Sequence, residues 1–96
     1  MNIQQLMKQA QKMQKEITKK QDEFDSKNFD FEFQNGLIKI SISGKLEIKK
    51  LIISKDLVDP DDCETLEDLV RNAINESISN VKKQKENLMP KIPGNM

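Results

Sequence analysis

The sequence predicts an α+β fold in which a long N-terminal helix, a three-stranded antiparallel meander and a long C-terminal helix follow one another. Two observations predict the helices: apolar residues recur every three or four positions towards both ends of the chain, and no Gly or Pro interrupts either run. A third predicts the sheet, because apolar and polar residues alternate between these runs, around Asn35-Gly36 and Gly44-Lys45. The predicted order is therefore α-β-β-β-α.

The first helix is predicted over residues 2 to about 24. Its apolar side chains occupy the a and d positions of three heptads, and Met7 widens the stripe. These a and d residues are Ile3, Leu6, Ala10, Met13, Ile17 and Phe24. Four lysines fall on the opposite side of the same helix, so one face is apolar and the other is basic and rich in Gln.

Three strands are predicted over residues 28–34, 37–43 and 46–53. The first two alternate strictly, and Asn35-Gly36 between them favours a hairpin with a type I′ turn. In the third strand the apolar positions change parity after Lys49-Lys50. Either a bulge there returns all of them to one face, or the strand is apolar on both faces because another element covers the second face.

The connection over residues 54–63 leads into a second helix over residues 63 to 89, which Pro90 ends. Asp61 or Asp62 is expected to cap this helix, and Asp61 with Glu64 has the spacing of a capping box. Leucine, valine, isoleucine and alanine form the apolar stripe of the helix, with polar interruptions. We predict a single domain over residues 1–89 and a flexible tail over residues 90–96.

The composition excludes several classes of function. The 96-residue chain has no His, and Cys63 is its only cysteine, so the usual general base and the usual zinc ligands are missing. Without Trp or Tyr, aromatic stacking on single strands is not expected. No apolar run reaches the roughly 18 residues of a membrane span. We therefore predict no enzymatic activity, no cofactor, no metal, no small-molecule substrate and no membrane association.

The lengths of the elements predict a homodimer. The helices would span roughly 35 and 40 Å, whereas a strand of seven or eight residues spans only about 25 Å. The apolar stripes nevertheless continue to Ile3 and Leu6 at one extreme and to Leu88 at the other. A second copy would cover these overhanging stripes, with twofold symmetry as the simplest arrangement. The alternative is that the overhanging ends fray.

Several segments resemble the YbaB/EbfC family of nucleoid-associated proteins, in order and over nearly the whole chain. The opening helix is similar at residues 6–14 (LMKQAQKMQ), and the second strand at residues 35–40 (NGLIKI). The strongest similarity is residues 66–70 (LEDLV), followed by Ala73, Asn75 and Ser77. Met89-Pro90 and Pro93-Gly94 in the tail are also similar.

This resemblance implies a small bacterial protein of the cytoplasm and nucleoid. It implies a tight homodimer with projecting helical arms, described as tweezers, that binds duplex DNA with little sequence preference. The loop before the second strand is shorter here than the Gly-rich loop frequent in the family.

Seven lysines are the candidate DNA contacts. Lys8, Lys12, Lys15 and Lys19 lie on one side of the first helix, and Lys82, Lys83 and Lys85 form a second group. The net charge is zero, yet residues 1–21 carry +4 and residues 59–76 carry −6, so the chain can still present a local basic surface. The alternatives are that the first group is a solvated helix face and that the protein is a protein-interaction adaptor.

Overall fold

The computed structural model describes residues 2–88 and confirms the α-β-β-β-α order. The chain forms α1 (Ile3–Ser26), β1 (Asn28–Phe33), β2 (Ile38–Ser43), β3 (Ile48–Ile53), a short 3-10 helix (Lys55–Leu57) and α2 (Cys63–Leu88). The predicted tail over residues 90–96 and the end of the domain at residue 89 lie outside the described residues. Neither helix of the described part has the length and apolarity needed to cross a membrane.

The three strands form one antiparallel sheet with β2 in the centre. Phe31, Ile40 and Leu51 lie side by side in one row and face the same side. Ile42 pairs with Ile48 and Ser41 pairs with Lys50, so Lys49 is the extra residue of a bulge. The first of the two alternatives for the third strand is therefore confirmed, because the bulge restores the apolar residues on either side of it to one face.

The turn between β1 and β2 is longer than a two-residue type I′ turn. Residues 34–37 form it, and three successive residues have positive φ: Gln34 at 53°, Asn35 at 56° and Gly36 at 85°. The Gly36 N–H donates to the Phe33 carbonyl at 3.1 Å. Asn and Gly are the residues that tolerate positive φ best. The Asn35-Gly36 pair therefore located the turn correctly, although the turn is longer than predicted.

The core lies between β2 and the middle of α2. Ile38, Ile40 and Ile42 of β2 are buried, together with Ala73 and Val81 of α2 and Phe24 of α1. Ser77 is also fully buried, and its Oγ donates to the Ala73 carbonyl at 2.8 Å, so this polar interruption of the stripe is satisfied. α2 packs mainly on β2 and to a lesser extent on β1.

Asp62, and not Asp61, caps α2. Its two carboxylate oxygens accept from Thr65, from the N–H at 3.3 Å and from Oγ1 at 2.6 Å. The predicted capping box between Asp61 and Glu64 is wrong, because the Asp61 N–H donates to Asp59 in the preceding turn and α2 begins only at Cys63. The bonds from the Thr65 side chain and backbone hold the pKa of the Asp62 carboxyl below its usual value.

The Asp62 cap should make the start of α2 sensitive to acid. The folded-state pKa is lowered, so this carboxylate stabilises the fold above its unfolded-state pKa, and the contribution is lost as the pH falls through the folded-state value. Asn also caps helices but does not titrate, so Asp62→Asn is the matched control. In thermal unfolding between neutral and acidic pH, the unmodified protein should lose stability relative to this variant. A constant difference at every pH would contradict the prediction.

α1 projects from the body as an arm, and only its last turns are packed. The molecule measures 72 × 27 × 17 Å, and Phe24 is the one α1 residue that is buried. The apolar stripe beyond it is open to solvent, with Ile3 at 72% and Met13 at 60% exposure. The stripe from Ile3 to Met13 is therefore left open by residues 2–88 of a single chain.

Candidate nucleic-acid interface

Four lysines form an exposed row along the arm. Lys8, Lys12, Lys15 and Lys19 follow one another at helical spacings of four, three and four, opposite the apolar stripe. At 1.5 Å per residue the row is about 16 Å long. Across residues 2–88 none of the four makes an ion pair. Their ammonium groups are therefore available to a ligand with regularly spaced negative charges.

The base of the arm is fixed by a close backbone contact with the turn between β2 and β3. The Gly44 N–H donates to the Lys27 carbonyl at 3.0 Å, and the Lys27 N–H donates to the Phe24 carbonyl at 3.1 Å. The rings of Phe24 and Phe29 are 5.1 Å apart between centroids. These contacts set the direction in which α1 leaves the sheet. The sequence indicated a turn at Gly44 but nothing of its contact with the arm.

The second group of lysines does not form one surface. Lys85 Nζ lies 3.1 Å from Asp25 Oδ1, in an ion pair that joins α2 to the end of α1. Lys83 lies on the opposite flank of α2, where it lines an open pocket with Phe31 and Phe33. Lys82 is exposed. Lys85 is thus engaged at the base of the arm, and the row on α1 is the only place where the structure brings candidate lysines of the described chain together.

The Asp25–Lys85 ion pair should contribute little to the free energy of unfolding. The effects of substituting its two residues should nevertheless be non-additive. Both side chains are partly solvated, so we expect Asp25→Asn and Lys85→Met each to lower the free energy of unfolding by no more than about 1 kcal/mol. The double variant should cost about as much as either single one, because both remove the same interaction. Urea unfolding of all four proteins gives this cycle. Strictly additive losses would show that the pair carries no interaction energy.

Acidic residues lie at the other end of α2 from the arm. The acidic segment over residues 59–68 leads into the start of α2. Lys85, near the end of α2, is paired with Asp25 at the base of the arm. Between Cys63 and Lys85 the helix rises about 33 Å. This distance exceeds the Debye length of about 8 Å at physiological salt, so the acidic end of α2 does not cancel the charge of the four-lysine row.

The sequence matches proteins of one family along its whole length. The model of the YbaB/EbfC DNA-binding family matches residues 1–96. A nucleoid-associated protein of Caldicellulosiruptor saccharolyticus is 52% identical over 93 residues, covering 97% of this chain and 82% of the relative. A nucleoid-associated protein of Agathobacter rectalis is 41% identical over 95 residues, covering 99% and 84%. One of Lactococcus lactis subsp. cremoris is 38% identical over 91 residues, covering 95% and 92%.

Proposed function

Because the chain belongs to the YbaB/EbfC DNA-binding family, we propose that it binds duplex DNA as a homodimer with little sequence preference. In this proposal it acts at the bacterial nucleoid in an architectural or regulatory role, as the names of its relatives suggest. The observation that carries the proposal is the exposed lysine row on α1, which makes no ion pair with any residue from 2 to 88: Lys8, Lys12, Lys15 and Lys19. Lys82 and Lys83 are secondary candidates, and Lys85 acts mainly at the arm base.

The chemistry of the row favours the DNA backbone as its target. Lysine ammonium groups neutralise phosphates and release condensed counterions, and this term does not depend on sequence. Phosphate contacts orient a protein on the duplex without reading the bases. The row of about 16 Å covers about half of the 34 Å helical repeat of B-DNA, so one arm can follow several phosphates. Low sequence preference follows from contacts of this kind.

A homodimer doubles this surface. Two copies related by a twofold axis would present two arms and eight lysines, and the arms would contact one duplex together. Binding through both arms gains from effective concentration, because the second arm binds as an intramolecular event. The neutral net charge of the chain is compatible with this scheme, since the contact depends on the arm and not on the average charge.

The salt dependence of binding tests the proposal. If all eight lysines of a dimer neutralise phosphates, log affinity should fall with log salt concentration with a slope of about −7. Fluorescence anisotropy with labelled duplexes of scrambled sequence, across a salt series, measures this slope. Duplexes of different composition should give affinities that agree within a few-fold. A flat plot, or affinity for one sequence only, would reject the proposal.

A protein-interaction adaptor is the second candidate, and the exposed apolar stripe of α1 is the observation that favours it. Ile3, Leu6, Met7 and Met13 are all at least 45% exposed in the single chain. Apolar surface of this kind is often covered by a protein partner. Under this alternative, affinity capture would return a defined protein after nuclease treatment, while the purified dimer would leave duplex DNA unbound at low salt.

A further inference from the structure

β1 is an edge strand, and no strand pairs with its outer side within residues 2–88. The sheet order is β1-β2-β3, so β1 is hydrogen-bonded to β2 alone. The bond from the Gly44 N–H to the Lys27 carbonyl makes Lys27 and Gly44 a hydrogen-bonded pair of the antiparallel ladder. Such pairs alternate along the ladder, so the N–H and C=O groups of Phe29, Phe31 and Phe33 point towards β2. The backbone groups of the residues between them point outward.

The residues with outward backbone groups also carry the acidic side chains of β1. These residues are Asn28, Asp30 and Glu32, and all three are exposed. Their side chains lie on the face of the sheet away from α2, because the three Phe between them pack against the core. Glu32 is paired with Lys39 of β2 at 3.8 Å, whereas Asp30 makes no ion pair with any residue from 2 to 88. We call this outer side of Asn28–Phe33 the β1 edge.

The other face of the β1 edge is apolar. Phe31 and Phe33 are only half-buried, with ring centroids 6.5 Å apart. Together with Glu76, Asn80 and Lys83 of α2 they line an open pocket of about 300 Å³. Side chains of an added strand that point towards α2 would therefore cover the two rings, and those that point away would lie beside carboxylates.

The charges at the β1 edge favour a basic partner over three other occupants. A second copy would bring Asp30 and Glu32 close to the same carboxylates, and like charges across a strand pair are destabilising. Duplex DNA is disfavoured because its phosphates are negatively charged. Residues 89–96 of the chain are poorly suited because Pro90 and Pro93 have no N–H to donate to a ladder.

We propose that the β1 edge is a docking site for an extended segment of another protein in which basic and apolar residues alternate. The segment adds a fourth strand to the sheet, antiparallel to β1, since antiparallel pairing is the more stable arrangement per residue. Its basic side chains lie beside Asp30 and Glu32, and its apolar side chains cover Phe31 and Phe33. Main-chain bonds supply the affinity of such a contact and the alternating side chains its selectivity.

This inference goes beyond the proposed function, because the β1 edge contains none of the lysines of the row on α1. A chain bound to DNA through its arm would keep the β1 edge available. The protein would then hold a second protein at the DNA without using the same surface for both.

The test uses a synthetic seven-residue peptide of alternating lysine and valine, blocked at both ends and fluorescently labelled. In the proposed pairing the lysines lie opposite Asp30 and Glu32 and exchange backbone hydrogen bonds with them. Methylation of the lysine backbone nitrogens should therefore weaken binding at least about tenfold in anisotropy titrations. Methylation of the valine backbone nitrogens, which face away from β1, should change it less than about twofold. The two methylated peptides have the same charge, so general attraction to acidic residues cannot produce this difference.

Asp30→Pro tests the same contact from the side of the protein. Pro is tolerated in edge strands, and here it removes an outward N–H without breaking a bond to β2. We expect the affinity for the unmethylated peptide to fall at least about tenfold. Asp30→Asn is the matched control that removes only the charge, and its loss should stay below about fivefold because the carboxylate is exposed. Circular dichroism checks that both variants keep their secondary structure, and the methylated peptides test the contact without any substitution.

The outcomes separate this inference from DNA binding. Equal affinities of the two methylated peptides, or no binding of the unmethylated peptide at millimolar concentration, would overturn the β1 edge as a docking site. A change in the assembly state caused by Asp30→Pro in sedimentation would assign the edge to a second copy and would also overturn it. The affinity of Asp30→Pro for duplex DNA should remain within about twofold of the unmodified protein, because Asp30 is remote from the lysine row in sequence and lies on the sheet.

Discussion

Reversing the charge of the four arm lysines is expected to lower the affinity for duplex DNA at least 100-fold at moderate salt. The variant replaces Lys8, Lys12, Lys15 and Lys19 with Glu. Each reversal removes one counterion-releasing contact and adds a repulsion, and six to ten such contacts already carry about 10³-fold or more of salt-sensitive affinity. The loss should be the same for every duplex sequence, because phosphate contacts do not distinguish bases.

A second charge-reversed variant shows whether the loss of DNA affinity comes from contacts of the α1 row or only from the change in net charge. Lys45, Lys49, Lys50 and Lys55 are exposed lysines of the sheet body, and their replacement with Glu changes the net charge by the same amount. We expect this control to lose less than about tenfold, since exposed charges beyond a Debye length are screened. Anisotropy titrations of both variants give the comparison, with sedimentation to verify the assembly state. Equal losses in the two proteins would contradict a binding row on α1.

Gly44→Ala is expected to give the largest loss of stability among single substitutions at the arm base. A Cβ at this position would overlap the carbonyl oxygen of Phe24 and lie 2.7 Å from its carbonyl carbon. These are backbone atoms at the end of α1, so the whole arm would have to shift. Overpacking typically costs about 1 to 3 kcal/mol in free energy of unfolding, and the overlap with backbone atoms places this substitution at the upper end of that range.

Gly36→Ala is the matched control for Gly44→Ala. Gly36 has a φ of 85°, which an Ala residue adopts at a cost of about 1 kcal/mol, but its nearest contact is a flexible Glu32 side-chain oxygen at 3.9 Å. Urea unfolding of the two variants should therefore give clearly different losses, with Gly44→Ala the larger. Comparable values would show that α1 adapts to the added methyl group and that Gly44 does not fix the arm.

The sequence predicted the elements well because their periods are local properties. The 3.6-residue period and the two-residue alternation gave the bounds of both α-helices and of the three strands to within about two residues, whereas the short 3-10 helix (Lys55–Leu57) lies in a segment predicted only as a connection. The bulge at Lys49 could also be inferred, since a change of parity in an apolar strand has few physical causes. The family was recognisable from the order and spacing of several short segments, none of which identifies it alone.

The remaining features depend on contacts between distant parts of the chain. Lys85 lies 60 residues from Asp25 in sequence, so its ion pair at the arm base could not be read from helix spacing. Gly44 had the composition of a turn, and only packing reveals its approach to Phe24. The offset of α2 over β1 and β2 is likewise a property of tertiary packing. Whether Asp61 or Asp62 caps α2 depends on the exact residue at which the helix begins, which the sequence pattern does not specify.

Sedimentation of the unmodified chain, alone and with a short labelled duplex, tests the central claim most directly. At micromolar concentration the free protein should sediment as a dimer, with twice the 11.1 kDa mass of one chain. At low salt the protein should bind the duplex as this dimer, with two chains in each bound molecule. Raising the salt should release the duplex without dissociating the dimer. A single 11.1 kDa particle, or a dimer that leaves the duplex unbound at low salt, would contradict it.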